Sequence, residues 1–108
     1  MRKLFLHLIL ITILFTCLSW ELSDPLPSFK NQVFPLIQAK CNSKECHAER
    51  GGSTAYTSYE AIKAKGKKIV KRITNINGIM PPVKSGIKLT KEEIALIKAW
   101  VNAGMPDN

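Results

Sequence analysis

The chain has 108 residues, 45% of them hydrophobic, which is enough for one small domain and excludes a two-domain protein. It is basic, with 16 Lys and Arg against 8 Asp and Glu and a net charge of +8. No alternation typical of strands and no internal repeat is present, so a strand-based fold and a repeat protein are not expected.

The first residues have the layout of a secretory signal peptide. Arg2 and Lys3 precede an apolar run from Leu4 to Leu18 that ends in small residues. This run is shorter than the roughly 20 apolar residues that a membrane-spanning helix needs. We therefore predict a signal peptide at residues 1–19 and a periplasmic or exported protein. The alternative is an uncleaved signal that anchors the chain in the membrane.

Cys17 allows two interpretations of this segment. Cleavage after Ser19 would discard Cys17 with the signal peptide. The stretch LFTC is also a loose version of a lipobox, which would lead to a lipidated Cys17 and a membrane-anchored protein. Under both interpretations Cys41 and Cys46 belong to an exported chain, where cysteines form disulfides or attach cofactors.

The mature chain is small and remains basic. Loss of Arg2 and Lys3 leaves 14 basic and 8 acidic residues, a net charge of +6. About 88 residues remain, and a purely apolar core is marginal at that size. We therefore expect a disulfide, a metal or a cofactor to form part of the core.

The first predicted helix leads into Cys41. Residues 20–31 contain two prolines and no periodicity, so they are predicted to be a linker, with the domain at residues 32–108. Pro35 suits a first helical turn, and apolar residues continue from it to Cys41. A loop with Gly51 and Gly52 follows.

Two short helices are predicted next. Thr57 and Glu60 fit a capping box, so a helix is expected at residues 58–65, ending before Gly66. The following segment, KKIVKRIT, repeats apolar residues with the spacing of one helical face. Residues 75–88, with their Asn-Gly and Pro-Pro pairs, are predicted to be a loop. This loop is unusually apolar, which indicates that it covers something.

The last helix carries the clearest signals. Thr90 and Glu93 form a second capping box, and the acidic first turn suits the positive end of the helix dipole. Gly104 can end the helix in the left-handed conformation. The sequence therefore predicts an all-α domain with three or four short helices.

Cys41, Cys46 and His47 form a cluster of reactive groups in the stretch KCNSKECHAE. Their C-x4-C-H pattern is a longer form of C-x-x-C-H, the attachment site of haem c. In that site two thiols add across the haem vinyl groups, and the histidine becomes an axial ligand of the iron. The four intervening residues are polar and can bulge out, so we predict one haem attached to Cys41 and Cys46 and ligated by His47.

Three other interpretations of this cluster remain open. A disulfide between the cysteines would close a very short loop, contribute at most about 2 kcal/mol and give His47 no role. A structural zinc site needs four ligands and would have to recruit Glu45, Glu49 or another unpaired carboxylate. A catalytic cysteine needs an oriented base, and a side chain adjacent in sequence usually points elsewhere.

Met80 is the predicted second axial ligand. Pro81 restricts the preceding residue to extended backbone, so a stiff loop can hold the thioether toward the iron. Methionines also fill apolar gaps, which is the ordinary alternative for Met80. Met105 is the rival ligand, and an open sixth position, suited to ligand binding or peroxide chemistry, is the third alternative.

The order of these motifs resembles a known family. From Val33 onward the pieces FPLIQAKC, CH, GG, SYEAI, IVKRIT, MPP and LTKEEIALIKAWVNAG are similar to the small c-type cytochrome domains attached to planctomycete-type enzymes and surface proteins. Those domains typically carry C-x-x-C-H. The longer cysteine spacing of this chain would change the position of the haem edge rather than the presence of haem.

The resemblance implies a class I-like cytochrome c fold and an electron carrier rather than an enzyme. In that fold the helix leading into Cys41 crosses the final helix, and the Met80 loop covers the far haem face. The core candidates are the apolar residues of the predicted helices: Leu36, Ile37, Ile69, Ile73, Ile94, Ile97, Trp100 and Val101.

Residues 63–72 form a basic stretch with six cations in ten positions: Lys63, Lys65, Lys67, Lys68, Lys71 and Arg72. The stretch is either a docking face for an acidic redox protein or a solvated helix face with a cation near the haem propionates. Nucleic acid is not an expected partner, because an exported chain seldom meets it.

Overall fold

The computed structural model describes Met1 and residues 25–42, 46–47, 55–75 and 80–108. Over these ranges the protein is all-α, as predicted, and contains no strand. The helices are α1 (Phe34–Cys41), α2 (Tyr59–Thr74) and α3 (Lys91–Asn102). A π-helical turn, Phe29–Val33, leads directly into α1, and a 3₁₀ turn spans Val83–Ser85.

Several sequence predictions fall outside these ranges. They are the signal peptide beyond Met1 with its Cys17, the glycine pair Gly51 and Gly52, and the Asn77-Gly78 turn. Within the described ranges, no helix combines the length and the apolar character needed to cross a membrane.

The π-helical turn shows that the packed part of the chain begins earlier than the sequence suggested. Ser28 caps this turn, because its hydroxyl accepts a hydrogen bond from the amide of Asn31 at 3.2 Å. Phe29, assigned to the linker by the lack of periodicity, is only 4% exposed and stacks on Trp100 with ring centroids 5.3 Å apart. A single aromatic anchor leaves no periodic signal, so the pattern of the segment could not show it.

Helix α2 differs from the prediction in two ways. Its N-cap is Ser58 rather than Thr57, with the Ser58 hydroxyl accepting from the amide of Ala61 at 3.2 Å. The predicted break before Gly66 is wrong, since the helix runs through this residue without interruption. Glycine costs a helix interior about 1 kcal/mol relative to alanine. Here that cost accompanies close packing, because a Cβ at Gly66 would overlap the sulfur of Met105.

Helix α3 confirms its predicted start and end. The Thr90 hydroxyl accepts from the amide of Glu93 at 3.1 Å, and the Glu93 carboxylate accepts from the amide of Thr90 at 2.8 Å. Gly104 adopts the left-handed conformation with φ 87° just after the helix.

The core lies where α3 packs against α2 and against the π-helical turn before α1. Among the core candidates, Ile37, Ile69, Ile73, Ile97 and Trp100 are buried, whereas Leu36, Ile94 and Val101 are partly buried against them. Among the described residues, the buried hydrophobic cluster has four further members that the sequence patterns did not indicate: Phe29, Val33, Tyr56 and Ile62.

Candidate cofactor site

A cavity of about 330 Å³ opens between the end of α1, the second half of α2 and the segment around Pro81. This volume is at the lower end of the range of about 300–1,000 Å³ found for small-molecule and cofactor pockets. Cys41, Cys46, His47 and Met80 all line it. The fold therefore brings the four residues predicted from separate motifs to a single cavity.

The cysteine–histidine segment turns back on the end of α1. Cys41 is the last residue of this helix, and its carbonyl accepts a hydrogen bond from the amide of His47 at 3.2 Å. Cys41 and Cys46 are both half-buried free thiols. A bulge is predicted among the four residues between them, of which 43–45 lie outside the described residues.

Burial, and secondarily the nearby Cys46, raise the pKa of the Cys41 thiol to about 11. Cys41 is therefore a neutral thiol at neutral pH. Because the thiolate is the nucleophilic form, this environment disfavours Cys41 as a catalytic nucleophile.

Tyr56 packs against the imidazole of His47. The two rings are stacked, with centroids 4.3 Å apart and planes inclined by 21°. The amide of Tyr56 also donates to the carbonyl of His47 at 3.1 Å. Sequence analysis did not select Tyr56, since a single tyrosine after a loop carries no spacing signal.

Met80 is held at the cavity by the end of α2. Its amide donates to the carbonyl of Arg72 at 3.2 Å, and Pro81, which follows through a cis peptide bond, is buried. Met105 lies elsewhere and packs on Gly66 rather than lining the cavity. Of the two candidate methionine ligands, only Met80 therefore faces the cysteines and the histidine across this cavity.

Cations surround the cavity, and none of its described lining residues is a carboxylate. Lys65, Lys68 and Arg72 of α2 line it together with Lys40 of α1. Lys40 has partners, since its ammonium lies 3.5 Å from the Glu93 carboxylate and 3.0 Å from the Lys88 carbonyl. The basic stretch is thus divided, with three of its cations at the cavity and the others, Lys63, Lys67 and Lys71, away from it.

The described residues contain no group of three or more His, Cys, Asp or Glu side chains arranged to hold a metal ion. The zinc interpretation therefore has no complete ligand set there, and its auxiliary ligands Glu45 and Glu49 lie outside the described residues.

Comparison with known proteins adds no relative to this picture. No protein-family model, no curated protein and no solved structure matches the chain.

Proposed function

We propose that this chain is an exported monohaem c-type cytochrome with a cytochrome c-like fold, and that it carries single electrons between redox proteins. The observation that supports this proposal is the shared cavity, which has two thiols, an imidazole and a thioether on its wall. The remaining lining also suits haem, because apolar side chains would face the macrocycle and cations would face its carboxylates.

Each residue has a defined role in this proposal. Cys41 and Cys46 would hold haem through thioether bonds to its two vinyl groups, and His47 and Met80 would ligate its iron. When bound, haem iron supplies a reversible change between the ferrous and ferric states.

The protein's own side chains set the conditions for that change. Ile69, Ile73 and Pro81 exclude water from the cavity. Lys65, Lys68 and Arg72 offset the negative charge of the haem carboxylates. One electron enters from a reduced donor protein and one leaves to an oxidised acceptor protein, so the cycle balances without bond formation or proton transfer.

The charge of the chain supports an acidic redox partner. The cations of the basic stretch that do not line the cavity, Lys63, Lys67 and Lys71, would attract a negatively charged protein surface and speed encounter at low ionic strength. Export through the signal peptide would place this reaction in the periplasm or outside the cell. A lipidated Cys17 or an uncleaved signal would add membrane anchoring.

Expression with a haem-attachment system tests the proposal. The mature protein should have the mass of the polypeptide plus one haem, show a reduced α band and keep its haem through denaturing electrophoresis. Cys41→Ser and Cys46→Ser should each remove one thioether bond, and the double variant should release haem on denaturation. A colourless folded protein without free thiols at these positions would instead support the other candidate, a disulfide-closed binding module without haem.

The methionine ligand is tested with a matched pair of variants. Met80→Ala should abolish the methionine-to-iron charge-transfer band in the near infrared, because it removes the thioether that lines the cavity. Met105→Ala should keep the band, since Met105 packs on Gly66. A band that survives in Met80→Ala would show that the ligand assignment is wrong. A parent protein without the band would favour an open sixth position for ligand or peroxide chemistry.

A further inference from the structure

Tyr56 is held at the cavity by backbone hydrogen bonds as well as by the packing of its ring. Its carbonyl accepts two hydrogen bonds from the last turns of α1, one from the side-chain amide of Gln38 and one from that of Asn42, each at 2.7 Å. The Asn42 amide also donates to the Gln38 side-chain oxygen at 2.8 Å. Since the residue is 9% exposed, both its backbone and its ring have little freedom to move.

The backbone of His47 is restrained in a similar way. Its amide donates to Cys41 at the end of α1, and its carbonyl accepts from Tyr56. These two bonds fix the position of the histidine backbone.

The aromatic stack restrains the plane of the His47 imidazole. With ring centroids 4.3 Å apart and a plane angle of 21°, rotation of the imidazole about its Cβ–Cγ bond would drive its edge into the Tyr56 ring. Stacked aromatic pairs contribute about 0.5–1.5 kcal/mol beyond the area that they bury. Residues behind a metal ligand commonly set the orientation of that ligand in this indirect way.

We infer that Tyr56 is a positioning residue that fixes the orientation of the His47 imidazole plane. The inference rests on the proposed function, in which His47 is an axial ligand of haem iron. The orientation of an axial imidazole plane determines how the iron d orbitals split. It therefore determines the g values of the oxidised protein and the spread of its haem-methyl resonances, and it contributes to the reduction potential.

Three variants of the haem-loaded protein test this inference. Tyr56→Leu removes the flat ring and should shift the largest g value, change the order or spread of the haem-methyl resonances and move the reduction potential. Tyr56→Phe keeps the ring and should reproduce the parent spectra. Tyr59→Leu is the matched control, because Tyr59 packs edge-on against Phe29 in the core and its hydroxyl bonds to the Met105 carbonyl. This control should lower stability without changing the haem spectra.

Haem-bound Tyr56→Leu with the g values and resonances of the parent would overturn the inference while leaving the proposed function intact. A parent protein without haem would overturn both. If Tyr56→Leu does not accumulate, the inference can be tested on the parent protein alone. In its reduced, diamagnetic form, proton Overhauser contacts should connect the rings of Tyr56 and His47, and their absence would refute the stack.

Discussion

The two ends of the domain are built in different ways. At the core end, Trp100 is completely buried, stacks on Phe29 and donates its indole N–H to the Pro106 carbonyl at 3.0 Å. At the cavity end, Cys41 and Met80 are only half-buried and the wall includes several cations. At the core end, buried side chains pack against one another. At the cavity end, apolar and charged side chains line a cavity.

The chain termini of the domain reinforce the core end. The carbonyl of Asn108 accepts from the amide of Lys30 at 2.9 Å, and the Asn108 side-chain oxygen accepts from the amide of Phe29 at 2.8 Å. These bonds tie the last described residue to the π-helical turn before α1. The core end is therefore held by contacts within the chain, whereas the cavity end is where the proposed haem would bind.

The largest loss of stability is expected from truncating a buried side chain at the core end. Trp100→Ala should lower the free energy of unfolding by about 3–5 kcal/mol, because it removes a completely buried aromatic side chain. Total stability of such domains is about 5–15 kcal/mol, so this variant should lose much of it. Chemical denaturation would measure the change.

Two further variants sharpen this prediction. Trp100→Phe keeps most of the buried volume but loses the bond to the Pro106 carbonyl, so its loss should be smaller than that of Trp100→Ala. Met80→Ala, at a half-buried position, should cost the haem-free chain less than Trp100→Ala does. If Met80→Ala lowered the free energy of unfolding more than Trp100→Ala, the cavity end rather than the core end would contribute more to stability.

Helix positions and caps were predictable where the determining contacts are between residues close in sequence. The reciprocal pair at Thr90 and Glu93 marks the start of α3 because both hydrogen bonds form within four residues. The same rule misplaced the N-cap of α2, which is Ser58 rather than Thr57. The prediction that a helix ends before Gly66 failed for another reason, because Met105 and Val101 approach this glycine from another part of the chain. A local pattern contains no information about such a neighbour.

The site shows the same division between local and distant information. Cys41, Cys46 and His47 form a recognisable motif, and Met80 was selected by the proline after it. All four residues line one cavity, and their role there as haem attachment points and ligands stays a prediction. Tyr56 was missed because it stacks on a side chain nine residues earlier in the sequence, a separation that no helix or strand periodicity marks. The three cavity cations could not be separated from the rest of the basic stretch until the orientation of α2 was known.

A smaller effect is expected from producing the chain without haem and following amide exchange. The amides of Met80 and Met105 form a matched pair, since each makes one backbone hydrogen bond outside a helix, to Arg72 and to Trp100 respectively. Without haem, exchange at Met80 should accelerate by about tenfold or more relative to Met105, because local opening is easiest where few apolar contacts hold the backbone. The amide of Tyr56, bonded to His47, should follow Met80. Equal acceleration at Met80 and Met105 would mean that the two ends unfold as one cooperative unit and that the core end depends on haem as much as the cavity end does.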